Sequence, residues 1–170
     1  MAEEIVEQGY RELADTILEH NPGVDLGRVR AAFELADRAH SGQKRKAGTP
    51  YVTHCVAAAQ ICAEMGLDED SIVAALLHDC IEDTAITHED IARQFGAEVA
   101  DIVEGVTKLT RVQFTSREDE QMENLRKMLM AMAKDIRVIL IKIADRLHNM
   151  RTMEYMVTQK QLEKSLETME

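Results

Sequence analysis

The sequence predicts an all-α protein, because its apolar residues recur at helical spacing and few of its residues break helices. Of 170 residues, 45% are apolar, whereas only 2 are proline and 8 are glycine. A turn-rich β-sandwich needs more of both. The length suits one domain, and the apolar content is too high for a disordered chain. We therefore expect residues 1–170 to form a single domain of about eight helices.

The N-terminal half of the sequence predicts four of these helices. Apolar residues keep helical spacing over residues 2–20, 25–40, 51–65 and from 68 onward. The motif Asn-Pro-Gly at 21–23 ends the first helix, and Gly42 and Gly66 lie just beyond the second and third as C-caps. The acidic residues 68–70 suit the first turn of the fourth helix, which continues through the apolar run IVAALL.

In the C-terminal half, three motifs resemble capping boxes, in which a Ser or Thr lies three residues before an acidic residue or Gln. These motifs begin at Thr87, Ser116 and Thr158. Gly96 separates two short helices over 88–95 and 97–108. Residues 136–143 (IRVILIKI) have the composition of a buried strand. Because helical spacing continues in the following ADRLHNMR, we predict one buried helix instead.

Charge and cysteine content exclude several classes of protein. The 31 acidic and 20 basic residues give a net charge of −11, which argues against general nucleic-acid binding. No stretch approaches the roughly 20 consecutive apolar residues of a membrane span, and the acidic N-terminus is unlike a secretory signal. The three cysteines, Cys55, Cys62 and Cys80, lack C-x-x-C spacing and suit buried reduced thiols. We therefore expect a cytoplasmic protein with no membrane or direct nucleic-acid partner.

The first candidate for chemistry is the motif HDCIED, which follows the apolar run IVAALL. If the helix continues, His78 and Glu82 are neighbours one turn apart, as are Asp79 and Asp83. Four ionisable side chains then emerge from a helix whose preceding turns are buried. Burying such groups unpaired costs several kcal/mol, so a compensating cation is a reasonable expectation.

Asp145 is the second candidate, at the polar end of the most apolar helix. From the residues alone, two interpretations stay open. The carboxylate forms an ion pair with Lys142, Arg146 or Arg151, or it binds a metal.

One further histidine completes the candidate set. His54, on the Ala-rich helix, is either a satisfied core residue or a ligand. Taken together, His54, His78, Asp79 and Asp145 offer two imidazoles and two carboxylates, a mixed set that suits Mn, Fe or Zn. Glu82 and Asp83 are then placed for acid/base chemistry. His40 is explained by its position at a helix C-terminus, and His148 is expected to contact solvent or substrate rather than a metal.

The segment Lys44-Arg45-Lys46 is the main positive run in this acidic chain. It is either a solvated surface loop or a clamp for a strongly anionic ligand, on which Arg forks or stacks. Because the net charge repels a polyanion, a clamp would depend on the local positive patch together with a metal.

These residues carry a resemblance to a known family. His54, then His78-Asp79, then Asp145 match the H…HD…D signature of the HD-superfamily metal-dependent phosphohydrolases. The surrounding segments are HSGQKRKAGTPYVTH, AALLHDCIEDT, VEGVTKLT and ENLRKMLMAMAKDIRVILIKIADRLHNMRT. Together they resemble the hydrolase domain of the bifunctional RelA/SpoT homologues, which make and degrade the guanosine alarmones ppGpp and pppGpp. The resemblance covers residues 25–170.

The resemblance implies a Mn²⁺-dependent 3′-pyrophosphohydrolase of the stringent response, which returns GDP or GTP and releases pyrophosphate. The metal ligands it implies are His54, His78, Asp79 and Asp145. Glu82 and Asp83 would activate or orient the attacking water. The substrate-binding residues it implies are Arg45 against the guanine, Lys46 and Asn149 nearby, and Thr152 towards the ribose or phosphate end.

The long members of this family continue into synthetase and regulatory domains. The last helix of this chain lacks a C-cap, so we interpret residues 1–170 as a hydrolase domain truncated at its C-terminus and expect no synthetase activity. Two other functions stay open. The chain could be another HD-type nucleotide phosphohydrolase, or a non-enzymatic regulatory HD module.

Overall fold

The computed structural model describes residues 2–45, 48–110, 122–123, 125–126 and 135–169. Within these residues the chain forms eight helices of defined bounds, and an isolated antiparallel bridge joins Lys44 to Pro50. The helices are α1 (Ala2–His20), α2 (Leu26–Ala39), α3 (Val52–Glu64), α4 (Glu69–Leu77), α5 (Cys80–Asp83), α6 (His88–Phe95), α7 (Ala97–Thr110) and α8 (Ile136–Met169). The all-α prediction is confirmed. None of the described helices is long and apolar enough to cross a membrane.

Side-chain caps and glycines set the helix ends where the sequence predicted them. The Asp25 carboxylate accepts hydrogen bonds from two backbone N–H groups in the first turn of α2. Thr87 and the aspartate three residues later form a reciprocal capping box at the start of α6. Gly66 and Gly96 adopt φ of +75° and +101°, where a Cβ would be strained. Local chemistry therefore determines these bounds.

The C-terminal prediction was wrong in one respect, because Thr158 does not open a new helix. α8 runs without interruption from Ile136 to Met169. No proline or glycine lies within this stretch, so the backbone hydrogen bonds of the helix are not interrupted at Thr158. The capping box predicted at Ser116 lies outside the described residues.

The core is organised around α3 and α4. α3 packs against α1, α4 and α8, while α4 packs against α2 and α7. Every residue from Ser71 to Leu77 is buried, as expected for a helix that is apolar on all sides. All three cysteines are buried and unpaired, as the sequence predicted.

A close contact between α7 and α8 sets the entry of the last helix into the bundle. A Cβ at Gly105 would lie only 2.8 Å from Cγ2 of Val138, so glycine is what allows this approach. From Val138, which is itself buried, α8 continues past α3 and carries Asp145 into the interior.

Candidate active site

Three helices bring the four predicted metal ligands together. His54 lies on α3, His78 and Asp79 directly follow α4, and Asp145 lies on α8. One ligand atom from each residue lies within 4.8 Å of the others. His54 and His78 are only 1% and 2% exposed, so the cluster is an interior feature.

The backbone breaks at His78 and Asp79, where the sequence predicted a continuous helix. The backbone N–H of His78 and its Nδ1 both lie within hydrogen-bond distance of the Ala75 carbonyl, at 3.4 and 2.6 Å. Asp79 has φ −97° and ψ −3°, and α5 begins after it. On a regular helix, consecutive side chains do not face each other. The break allows both to face one point, with His78 Nε2 and Asp79 Oδ2 3.0 Å apart.

Each imidazole faces both carboxylates. His54 Nε2 lies 2.6 Å from Asp145 Oδ1 and 3.8 Å from Asp79 Oδ2. His78 Nε2 lies 3.0 Å from Asp79 Oδ2 and 3.4 Å from Asp145 Oδ1. The two Nε2 atoms and two carboxylate oxygens therefore enclose one small volume.

The outer nitrogens of both imidazoles have hydrogen-bond partners. His78 Nδ1 must donate to the Ala75 carbonyl, because a carbonyl can only accept. In the neutral ring this leaves the Nε2 lone pair directed at the carboxylates. His54 Nδ1 lies 2.7 Å from Nδ1 of His148, so one of these two nitrogens donates to the other. Metal-ligating histidines are characteristically held in this way.

Electrostatics also suit a cation. Burial lowers the pKa of His54. Burial alone would lower the pKa of His78, but the two carboxylates outweigh it and raise that pKa to about 10. Burial would raise the pKa of Asp79 and of Asp145, yet the histidines and their hydrogen bonds lower it, to about 2 for Asp79. Two ionised carboxylates and two imidazoles fit a divalent cation, whose binding would displace protons from the histidines.

Asp145 forms one of the interactions that the sequence left open, an ion pair, and keeps its other carboxylate oxygen on the histidines. Its Oδ2 accepts a 2.9 Å ion-pair hydrogen bond from Lys142, while Oδ1 faces the imidazoles. The other predicted ion-pair partners, Arg146 and Arg151, are exposed. Lys142 is one helical turn away and therefore orients the carboxylate without occupying its inner oxygen.

Sequence reasoning missed Tyr51, whose hydroxyl donates a 2.7 Å hydrogen bond to Asp79 Oδ2. Its ring lies 4.7 Å from the ring of His40 and edge-on to His54 at 5.8 Å. The available signal was its position one turn before His54, on the same side of α3. His40 is itself buried among these groups, so the helix-end explanation given for it is incomplete.

The predicted acid/base pair lies on α5, directly after the ligand candidate Asp79. Glu82 and Asp83 are exposed and belong to the short helix that follows Asp79. Burial and the negative charge of Asp79 raise the pKa of Asp83. Among the described residues, the Glu82 carboxylate has no hydrogen-bond partner.

Two of the predicted substrate residues, Arg45 and Asn149, are in direct contact, and both are partly buried. Arg45 donates a 2.9 Å hydrogen bond from Nη2 to Oδ1 of Asn149. Asn149 in turn reaches Asp145 Oδ1 at 3.5 Å, which connects this pair to the ligand cluster. Thr152, one turn further along, is partly exposed and donates to the His148 carbonyl. Lys46 lies outside the described residues.

A second group, on the surface, also has ligand-like geometry. His88 Nε2 lies 2.8 Å from Asp101 and 3.6 Å from Glu104. The Asp101 side chain is 70% exposed, so water can satisfy it without a metal. We interpret this group as a surface ion pair.

Comparison with known proteins agrees with this geometry. The HD domain family matches residues 32–170, which include all four candidate ligands, and the chain therefore belongs to that family. The bifunctional (p)ppGpp synthase/hydrolase SpoT of Escherichia coli K12 is 48% identical over 95% of this chain and 23% of the relative. The GTP pyrophosphokinase of Streptomyces coelicolor is 52% identical over 85% of this chain and 17% of the relative.

A solved structure is also similar, with a TM-score of 0.58 and 32% identity over 75% of this chain and 71% of that chain. It is described as a metazoan ortholog of SpoT that hydrolyzes ppGpp and plays a role in starvation responses. These similarities confirm the resemblance to the RelA/SpoT homologues. The chain spans about a quarter or less of the length of the curated relatives that it matches.

Proposed function

We propose that this chain is a metal-dependent guanosine-3′,5′-bis(diphosphate) 3′-pyrophosphohydrolase, which degrades ppGpp and pppGpp to GDP or GTP and pyrophosphate in the stringent response. The observation that carries the proposal is a buried cluster of two histidines and two aspartates with the Arg45–Asn149 pair beside it. The names of the E. coli relative and of the metazoan structure support the substrate class.

We propose His54, His78, Asp79 and Asp145 as the metal ligands and Mn²⁺ as the ion. The mixed nitrogen and oxygen donors and the backbone-bonded Nδ1 of His78 support this assignment. A divalent cation held there supplies Lewis acidity, which activates water and offsets phosphate charge.

The side chains around the cluster divide the remaining tasks. Glu82 and Asp83 orient the attacking water, and Glu82 accepts its proton. Water adds to the phosphorus, the bond between that phosphorus and the 3′-oxygen breaks, and a proton goes to the 3′-oxygen. Arg45 packs on the guanine, with Lys46 and Asn149 beside it, and Thr152 approaches the ribose or phosphates.

The length of the relatives supports a modular arrangement. We propose that residues 1–170 act as the hydrolase domain of a longer enzyme, with synthetase and regulatory domains outside these residues and no synthetase activity within them. The three buried, unpaired thiols are consistent with the reducing cytoplasm, which we propose as its location.

A non-enzymatic regulatory module is the second candidate. The similar Streptomyces coelicolor protein is named for pyrophosphate transfer alone, and its name mentions no hydrolase activity. Modules of that type are expected to lose part of the ligand set. Here all four candidate ligands are present and face each other, which favours the hydrolase.

The test is pyrophosphate release from ppGpp by this chain, with Mn²⁺ and with a chelator. We expect release with Mn²⁺, none with chelator, and none from Asp79→Ala. Asp101→Ala is the matched control, since it removes an aspartate beside a histidine at the surface. A folded, Mn²⁺-loaded chain that releases nothing would favour the regulatory module, and equal cleavage of unrelated nucleotides would favour a broader phosphohydrolase.

A further inference from the structure

Arg137, in the first turn of α8, joins the starts of three helices. Its Nη1 donates to Asp68 at 2.8 Å, its Nη2 to Glu98 at 2.5 Å and to Asp135 at 2.7 Å, and its Nε to Asp135 at 2.9 Å. We call these four residues the Arg137 network. The arginine side chain is only 21% exposed, so it is more constrained than an ordinary surface ion pair.

Each acidic member of the network belongs to a different helix start. Asp68 caps α4 by accepting a hydrogen bond from the backbone N–H of Ser71 on Oδ1, and it binds Arg137 through Oδ2. Asp135 accepts from the backbone N–H of Arg137 at the start of α8. Glu98 lies in the first turn of α7. Sliding any of these helices along its axis would break charged hydrogen bonds.

Two of the connected helices lead to metal-ligand candidates: His78 directly follows the C-terminal end of α4, and Asp145 lies between two and three turns along α8. His78 lies about 15 Å along α4 from Asp68, and Asp145 lies about 12 Å along α8 from Arg137, at about 1.5 Å per residue. α8 packs mainly on α3 and α7 and only lightly on α4. Away from the ligand cluster, the hydrogen bond from Arg137 to Asp68 is therefore a charged link that fixes α8 lengthwise against α4.

We infer that Arg137 is a positioning residue for the metal centre, which joins the N-terminal ends of α8 and α4 and so sets Asp145 against His78 and Asp79. The inference rests on the metal site of the proposed function, to which it adds a residue outside the ligands and the substrate contacts. Metal ligands must lie within about 0.2 Å of their preferred distances, so a small slip of α8 matters.

Arg28 offers a matched control, because it is a partly buried arginine that also holds several charged hydrogen bonds. It donates to Glu69 at 2.7 Å, to Asp70 at 2.6 Å and to the Phe95 carbonyl at 2.6 Å, and its side chain is 26% exposed. These contacts join α2 to α4 and α6 and make no link to α8. Removing Arg28 should therefore cost stability without changing the position of Asp145.

The test compares Mn²⁺ affinity by titration calorimetry in the wild-type chain, Arg137→Gln and Arg28→Gln, with thermal unfolding of the metal-free proteins alongside. We expect Arg137→Gln to bind Mn²⁺ about tenfold more weakly, and Arg28→Gln to stay close to wild type. The visible absorption of bound Co²⁺, which reports ligand geometry, should change in Arg137→Gln alone.

A gentler variant covers the case in which Arg137→Gln does not fold. Asp68→Asn keeps a capping side chain on α4 but removes the charge that binds Arg137, and it should weaken Mn²⁺ binding in the same direction. Wild-type affinity in both network variants would overturn the inference, as would an equal loss in Arg28→Gln. A wild-type chain that binds no Mn²⁺ would instead overturn the metal site itself, and this inference with it.

Discussion

The hydroxyl of Tyr51 offers a single-atom test of how the cluster is held. Tyr51→Phe removes its 2.7 Å hydrogen bond to Asp79 Oδ2 but keeps the ring, which packs on His40 and lies 5.9 Å from the Arg45 guanidinium. Burial and the charge of Asp79 raise the pKa of Tyr51, so the phenol stays protonated and acts as a donor at neutral pH. The substitution therefore deletes one donor and little else.

The size of the effect follows from the charge of the acceptor. A hydrogen bond to a charged group contributes about 1.5–3 kcal/mol, and about 1.4 kcal/mol corresponds to a factor of ten. If Tyr51 holds Asp79 in its binding orientation, Tyr51→Phe should weaken Mn²⁺ binding about 10- to 100-fold, the range typical of partners that orient metal ligands.

The assay is titration calorimetry with Mn²⁺ on the metal-free chain. Tyr10→Phe is the matched control, because Tyr10 is also partly buried but donates a long 3.4 Å hydrogen bond to the Leu26 carbonyl, away from the cluster. Unchanged or tighter binding in Tyr51→Phe would refute the reasoning. Equal weakening in Tyr10→Phe would show that the effect is not local.

The remaining predictions concern chemistry, substrate binding, packing and pH. Glu82→Gln should keep Mn²⁺ bound but lower kcat by about 10²-fold, and an unchanged kcat would remove this carboxylate from the mechanism. Arg45→Ala should raise KM for ppGpp with kcat preserved; an unaffected KM would return the loop to a solvated role. Gly105→Ala should lower the unfolding free energy by about 1 kcal/mol, because crowding against α8 exceeds the gain in helix propensity; thermal unfolding at or above the wild-type temperature would contradict this. The pKa of Asp68 is lowered overall. Burial alone would raise it, but hydrogen bonds from the first turn of α4 and the charge of Arg137 outweigh burial. Its contribution to stability is therefore present above about pH 4 and lost as the pH falls further, and denaturant unfolding should show a smaller acid loss in Arg137→Gln.

Helix ends were predictable because they depend on neighbours in sequence. Thr87 caps the helix it was expected to cap, and Asp25 caps the helix that was predicted to begin there, since each acts on backbone N–H groups only two or three residues away. Thr158 shows the limit of that logic. A capping motif inside an uninterrupted helix-forming stretch competes with the backbone hydrogen bonds of the helix. At Thr158 the backbone hydrogen bonds are kept and the helix continues.

The candidate site was predictable as a set of residue types but not as a geometry. The residues and the family resemblance singled out His54, His78, Asp79 and Asp145, and the structure places them together. Their roles as ligands stay a prediction. The pattern did not predict the backbone break after α4, where the His78 side chain bonds to the Ala75 carbonyl.

Hydrogen-bond partners that are distant in the sequence could not be predicted, for a different reason. Tyr51 reaches Asp79, and Arg137 reaches both Asp68 and Glu98, only after the helices have packed. Nothing in local spacing distinguishes these side chains from others of the same type. Side chains that support a site through other residues are therefore the hardest to identify from the sequence.

The placement of the four candidate ligands would make a bound cation a crosslink in the thermodynamic sense. His54, His78 and Asp79 belong to the central α3–α4 region, whereas Asp145 comes from a helix that joins the bundle much later in the chain. An ion held by all four ties that late helix to the centre. Free Mn²⁺ at about 100 times its dissociation constant would add about 2.7 kcal/mol to stability. Amide hydrogen exchange in α8 should then slow as Mn²⁺ rises, so that the docking of this helix responds to metal supply.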